Sequence, residues 1–510
     1  MLLGRIPIIY RFTAWCVNLD LRRRPLVVTF VDSLRLSYAL PFFRMSADTC
    51  YVDPNRGNNA SAQRGLSTKP FATITAAVHA AIAGDTVYVL PGSYKENNLM
   101  KAGIAIHFMP GAKIVYQDPG TGPGYGIFDD RAPGAAGGTF VVSGSLEITY
   151  RNSGNTINPN LNCRGAVVIQ NATTKLNFEG NRIAISQPTF NAIQCFAAFC
   201  ISACADGSMI DCDEVTDTFE TWTDPGDGVT TGPGFAMGVY WGKGDLHVDI
   251  RRNTMAANYC FWCEEPSGNP ATNCWYRGHL MQTRETGAPS CFYVSGPVGA
   301  NSVNYRVWCD CLEILAASVA VNTITKGAKL YLSAQKVQGT SAFFCQGVEL
   351  WATVQKISAS TQWATHSAYT GVSKDVHYTV QHFEDIGSVA NGIQNQLSGS
   401  TLYIHGGLLK NGASGLALVS HEGGRTRLIG CELDATANNT AKNSPIVTSA
   451  ADLRLVGCTI LASAGAIASI YAAAAQTVKF TGTTIATKAV DANVTQQPPS
   501  SVVVDASAGP

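Results

Sequence analysis

A chain of 510 residues is longer than one compact core ordinarily supports, so several domains or an elongated repeat array are expected. Its 36 basic and 36 acidic side chains cancel, and a net charge of zero gives no indication of electrostatic steering toward nucleic acid or an anionic membrane. No run of 18 apolar residues offers a membrane span, and 49 glycines with abundant Ser, Thr and Asn favour strands and tight turns over helices.

Residues 1–44 are Arg-rich and apolar without a clear period. Arg11 and Asp32 each interrupt an apolar run, so neither run makes a signal-peptide core, and no small-residue cleavage site follows. Met45 opens MSADTCYVDPNRG, which reads as the start of a domain. The leading segment is therefore expected to be an upstream extension or anchor, and a chain starting at Met45 would carry no export signal.

One helix is expected next. Phe71, Ile74, Val78 and Ile82 recur at helical spacing, with Ser67 or Thr68 as cap, Pro70 in the first turn and Gly84 at the end. TVYVL (86–90) then reads as a strand.

Beyond it the chain repeats. TLYIHGGLL, TRLIGCELD, LRLVGCTIL and VKFTGTTIA align on Gly406, Gly430, Gly457 and Gly482, spaced 24, 27 and 25 apart. The template extends backwards through Val380, Val354, Ala334, Cys309, Gly278, Ile250, Cys212, Gly180 and Tyr150, with looser matches at Asn253 and Ser153. A unit of about 25 residues cannot bury its own apolar face, whereas coiling stacks like strands at about 4.8 Å over one core. Propeller blades would be longer, so the repeat predicts a parallel β-helix. Such a coil leaves an apolar end, and the Phe71–Ile82 segment is expected to cover it. The expected divisions are 1–44 extension, 45–115 cap and first rungs, 116–490 coil, and 491–510 a Pro/Ser/Ala-rich tail.

Of the 16 cysteines, Cys260 and Cys263 have the CxxC spacing of a metal knuckle or redox pair. Cys274 and Cys291 lie too far apart to supply a second CxxC, so the cysteines read as small buried hydrophobes.

YVDPNRGNN (51–59), KPFATITAAVHAA, AGDTVYVLPGSYKE and IAIHFMPGAKI together resemble the N-terminal portion of right-handed parallel β-helix proteins of the pectate-lyase-like superfamily. That superfamily includes polysaccharide lyases and hydrolases, bacterial surface proteins and phage tailspikes. The resemblance implies an all-β, right-handed parallel β-helix (a solenoid) with an N-terminal capping helix, and polysaccharide as the class of partner. The adjacent acids of Phe128-Asp129-Asp130, and the segments His405-Gly406-Gly407 and His421-Glu422-Gly423, only superficially match the hydrolase signatures. No catalytic residue is carried over.

The rung alignment gives outward-facing candidates. Asp211, Asp213 and Glu214 beside Arg251 suit acid/base cleavage. Asp249, Arg277 and His279, with Trp222 and Trp241, suit glycan binding. Trp308 and Asp310 follow in the next rung, and the loop 218–234 is the longest insertion. The same charges would equally pair between rungs and hold register. No cofactor is expected; calcium is the one ion that this many oxygens would suit, although no loop has its spacing. Three functions are open: a virion or extracellular spike contacting polysaccharide, homotrimeric as in tailspikes; a secreted polysaccharide lyase or glycoside hydrolase; and a purely structural appendage.

Overall fold

The segment Lys329–Gln346 shows how this sequence makes a rung. Leu330, Leu332 and Ala334 point inward from its first face, and Tyr331, Ser333 and Gln335 point outward. The chain turns after Gln335, buries Val337, turns again at Gly339–Thr340, and buries Phe343 and Cys345 on a third face. The next strand, Glu349–Ser367, lies over it in parallel register: Leu330 meets Leu350, Ala334 meets Val354, Val337 meets Ile357, and Cys345 meets His366. Each inward Leu, Ile or Val contributes about 1.5–3 kcal/mol by leaving water. His366, fully buried, donates to or accepts from Tyr378 Oη at 3.0 Å, and burial pulls its pKa down to about 3.

In the computed structural model, the residues described are 49–116, 125–150, 165–185, 197–201, 204–217, 235–240, 244–255, 259–264, 272–283, 290–295, 305–385, 391–411, 417–437, 444–450, 452–496 and 502–504. Residues 1–44, and the extension expected there, lie outside them. Among the described residues thirty-two strands form one continuous sheet, and every pairing between these strands is parallel. The chain is a right-handed parallel β-helix whose three faces enclose one apolar core. Phe108, Phe128, Phe140, Phe178 and Phe199 lie fully buried within that core, and farther along Phe261 stacks on Phe292 at 4.9 Å. Thirteen described cysteines are also buried, which is the small-hydrophobe role. The coil runs past residue 490, where Val494–Gln496 pairs with 476–478 and Val502–Val504 with 483–485.

Three anchors require correction: Cys212 pairs with Asn181 rather than Gly180. Gly278 lies beside Cys311, not Cys309, and Tyr150 lies beside Ile185 while Gly144 sits at the corner next to Gly180. The glycine column is otherwise as aligned: His405 meets Ile429, Ile429 meets Val456, and Val456 meets Thr481, which brings Gly406, Gly430, Gly457 and Gly482 together. All four are left-handed corners, with φ of 69°, 64°, 59° and 57°. Any other L-residue with a branched Cβ would be strained there.

The helix is shorter than expected. It spans Ile74–Ala80, is capped by Thr73 rather than Ser67 or Thr68, and buries Ile74, Ala77 and Val78. Glu96 assists from a distance, its carboxylate accepting the N–H groups of Ile74 at 2.8 Å and Thr75 at 2.6 Å. Phe71 is outside the helix: it forms a parallel bridge with Val52 and so covers the free edge of the first strand, Thr49–Val52. Ile82 is 56% exposed and takes no part in the apolar stripe. Gly84, with φ of 95°, turns the chain into Thr86–Val89 after the helix has ended at Ala81. The cap is locked by Arg64, whose guanidinium holds both oxygens of buried Asp85 at 2.5 Å.

Two outcomes follow. The Arg64 hydrogen bonds hold Asp85 below its ordinary value of 3.8, so the stability they give is present above that pH and lost as pH falls through the depressed value. Asp85→Asn should cost about 3–5 kcal/mol locally, read as faster hydrogen exchange in residues 74–90 with the strands after Lys329 unchanged. Gly457→Ala should lower the unfolding free energy by about 1–2 kcal/mol, and Gly457→Asn by clearly less, measured by denaturant titration.

Candidate functional site

The in-register coil turns one outward position per rung into a continuous ladder. On the first face, register places Met209, His247, Trp275, Trp308, Tyr331, Trp351, His377, Tyr403 and Arg427 in a single column. Seven consecutive members are aromatic or imidazole rings. His247 and Trp275 stack at 4.6 Å, Trp275 and Trp308 at 4.8 Å, and Trp308 and Tyr331 at 5.3 Å, all within 11° of parallel. A second stack joins Trp351 to His377 at 3.7 Å and His377 to Tyr403 at 4.4 Å. Burial in that stack lowers the His377 pKa and keeps the imidazole neutral near pH 7.

Two residues further along each strand runs a polar ladder: Glu179, Asp211, Asp249, Arg277, Asp310, Ser333 and Thr353. Between the two ladders lies a groove of about 700 Å³, lined by Asp211, Asp249, Arg277 and Asp310 and by the rings from His247 to Trp351. At about 4.8 Å per rung, His247 to Trp351 spans about 19 Å. A second groove of about 700 Å³ shares Asp310, Ser333 and Thr353, and continues round the bend past Gln335, Gln355, Gln381 and His405.

The charges largely answer one another. Arg251 binds Asp213 at 2.5 Å, Arg182 binds Glu214 at 2.9 Å, and Arg277 stands 3.6 Å from Asp249. Asp211 is different. Burial first, and then the neighbouring Asp249 carboxylate, raise its pKa; burial and Asp211 itself do the same to Glu179.

Of the expected site residues, Asp211, Asp249 and Arg277 line the groove. Asp213, Glu214, Arg251 and His279 lie at or beyond the bend and do not line it. Trp222 and Trp241 lie outside the described residues. The expected pairing of the next rung is corrected by two residues: Trp308 stands beside Trp275 and Asp310 beside Arg277. Asp129 and Asp130 are both buried, one held by Arg131 at 2.5 Å and the other accepting the N–H groups of Gln170 and Asn171, so they support local folding. His421 is buried against Thr426 at 2.9 Å, while His405 borders the second groove. Cys260 and Cys263 are inside the core, and among the described residues no cluster of three or more His, Cys, Asp or Glu could hold a metal ion.

A family described as "Protein of unknown function (DUF1565)" matches residues 55–201. The matched stretch covers the cap and the first rungs and ends before the groove begins. No curated protein and no solved structure matches the chain. Among the described residues no helix is long and apolar enough to cross a membrane.

Because the ionised form of Asp211 is disfavoured in the folded state, its charge costs stability above the raised pKa, and protonation removes that cost as pH falls. Asp211→Asn should therefore stabilise the protein at pH 7 by less than about 1 kcal/mol, with the gain fading toward pH 4. Denaturant midpoints measured across that range check this.

Proposed function

We propose that this chain is a rigid, surface-displayed β-helix rod that holds polysaccharide along the first-face groove without cleaving it. The observation that supports this reading is the groove itself: a floor of five in-register rings, His247 to Trp351, with a rim of Asp, Arg, Ser and Thr, on a scaffold that does not need to move. Hydroxyl-rich polymers need both donors and acceptors along a line, and apolar ring surface between them. A rod of this kind suits a virion or cell surface, and the resemblance to tailspikes suggests a homotrimer.

Binding without cleavage is favoured because Asp213, Glu214 and Asp249 are each engaged by an arginine. One observation favours a second reading, a glycoside hydrolase. Asp211, its pKa raised by burial, sits one rung from Asp249, which Arg277 faces at 3.6 Å, and two carboxyls in such unlike surroundings are what acid and nucleophile roles require.

A panel of neutral and acidic polysaccharides, run by affinity electrophoresis with a reducing-end assay on the same samples, separates the two. Retardation without new reducing ends is expected. New reducing ends abolished by Asp211→Asn would establish the hydrolase, and no retardation with any glycan would leave a structural appendage. Light scattering of the purified chain tests the trimer.

A further inference from the structure

The column of rings contains one interruption. Tyr331 and Trp351 are partners in register, on rungs joined by fifteen described residue pairs, yet no ring contact joins them, whereas each stacks on its other neighbour. Trp351 is drawn along its own strand: its indole Nε1–H donates to Glu349 at 3.3 Å, and Glu349 is itself fixed by Lys329 at 3.0 Å. The consequence is exposure. Trp351 is 44% exposed, and it is the one tryptophan among the described residues that ranks as exposed.

This matters because stacking consumes ring faces. Trp275 and Trp308 are each covered by parallel rings on both sides, so they offer a ligand only their edges. At the interruption one face of Trp351 and one of Tyr331 are left without a stacking partner, and both rings line the groove. Ser333 and Thr353 stand two residues along the same strands, on the same side, and Asp310 lies one rung before Ser333.

We propose that the break between Tyr331 and Trp351 is the principal subsite of the groove, and that it takes a pyranose ring of an uncharged glycan. The apolar C–H face of the sugar packs on the open face of Trp351, and its hydroxyls exchange hydrogen bonds with Ser333, Thr353 and Asp310. An anionic sugar is disfavoured for two reasons. Asp310 and, farther along, Asp249 repel it, the cation lining the groove, Arg277, already faces Asp249, and Lys329 beside Trp351 is held by Glu349. The inference rests on the glycan-binding reading and adds to it the position of the anchor and the charge class of the ligand.

The test uses the full chain and a set of neutral glucan, mannan and xylan oligosaccharides with polygalacturonate and alginate oligomers, titrated by calorimetry. Trp351→Ala should weaken neutral binding about tenfold or more, and Trp275→Ala, whose faces are already covered, by much less. Glu349→Gln, which loosens the hold on Trp351 without removing a ring, should also weaken it and should alter the tryptophan fluorescence change on binding. Far-UV circular dichroism and the unfolding midpoint confirm that each variant folds. If neutral glycan binds but Trp351→Ala and Trp275→Ala lose affinity equally, the subsite is wrong and the groove stands. Tighter binding of the acidic oligomers than of the neutral ones overturns the charge class. If no glycan binds the wild-type chain, the reading beneath the inference fails with it.

Discussion

Parallel in-register stacking is the constraint from which the rest of the molecule follows. Each backbone N–H and C=O along a strand must pair with the rung before or after it, because the core offers no water to satisfy it. Once that pairing is fixed, each residue sits about 4.8 Å from its counterpart in the next turn. A residue type that suits one rung therefore meets the same environment in the next. Inward positions become columns of Leu, Ile, Val, Phe and Cys; corners become a column of glycines; outward positions become ladders. Neighbouring charges in a ladder must be opposite or pay for their proximity, which is why Arg251 answers Asp213, while burial and then the adjacent Asp249 push Asp211 toward its neutral form.

The coil was legible in the sequence where the rungs are short and uninterrupted. From Ala334 onward, anchor spacings of 20 to 27 residues leave room for one strand-turn unit and little else, and the register found is the one the spacing implies. Upstream the insertions are longer and alternation is the only guide. Alternation cannot tell Cys309 from Cys311, because both are buried cysteines on the same side of one strand, two residues apart. The helix failed for a different reason: Phe71 has the right spacing for a helical stripe, but pairing its backbone with Tyr51 and Val52 protects an exposed strand edge, and that outweighs propensity.

The same two-residue error hid the ring ladder. With Cys311 as anchor, the residue three before each anchor reads His247, Trp275, Trp308, Tyr331, Trp351, His377, Tyr403. With Cys309, the series is broken by Arg306, and attention falls on the charged positions flanking the anchor instead. Asp211, Asp249 and Arg277 were reached in that way, and they form the rim of the groove rather than its floor. Nothing in a linear reading distinguishes a stacked ring from an open one. Only the contacts of Trp351 with Glu349, and of its partners with each other, make that difference.

The register across the groove is the most direct place to test the whole arrangement, and cysteine cross-linking measures it. Positions directly opposite in neighbouring rungs are close enough for a disulfide, and diagonal positions are about 7–8 Å apart. With the described stacking, a chain carrying Arg277→Cys and Asp310→Cys oxidises rapidly to an internal disulfide, while Arg277→Cys with Trp308→Cys does not. Rapid closure of the second pair and not the first would shift the rungs by two residues, dismantle the ring column, and contradict the structure on which the groove depends.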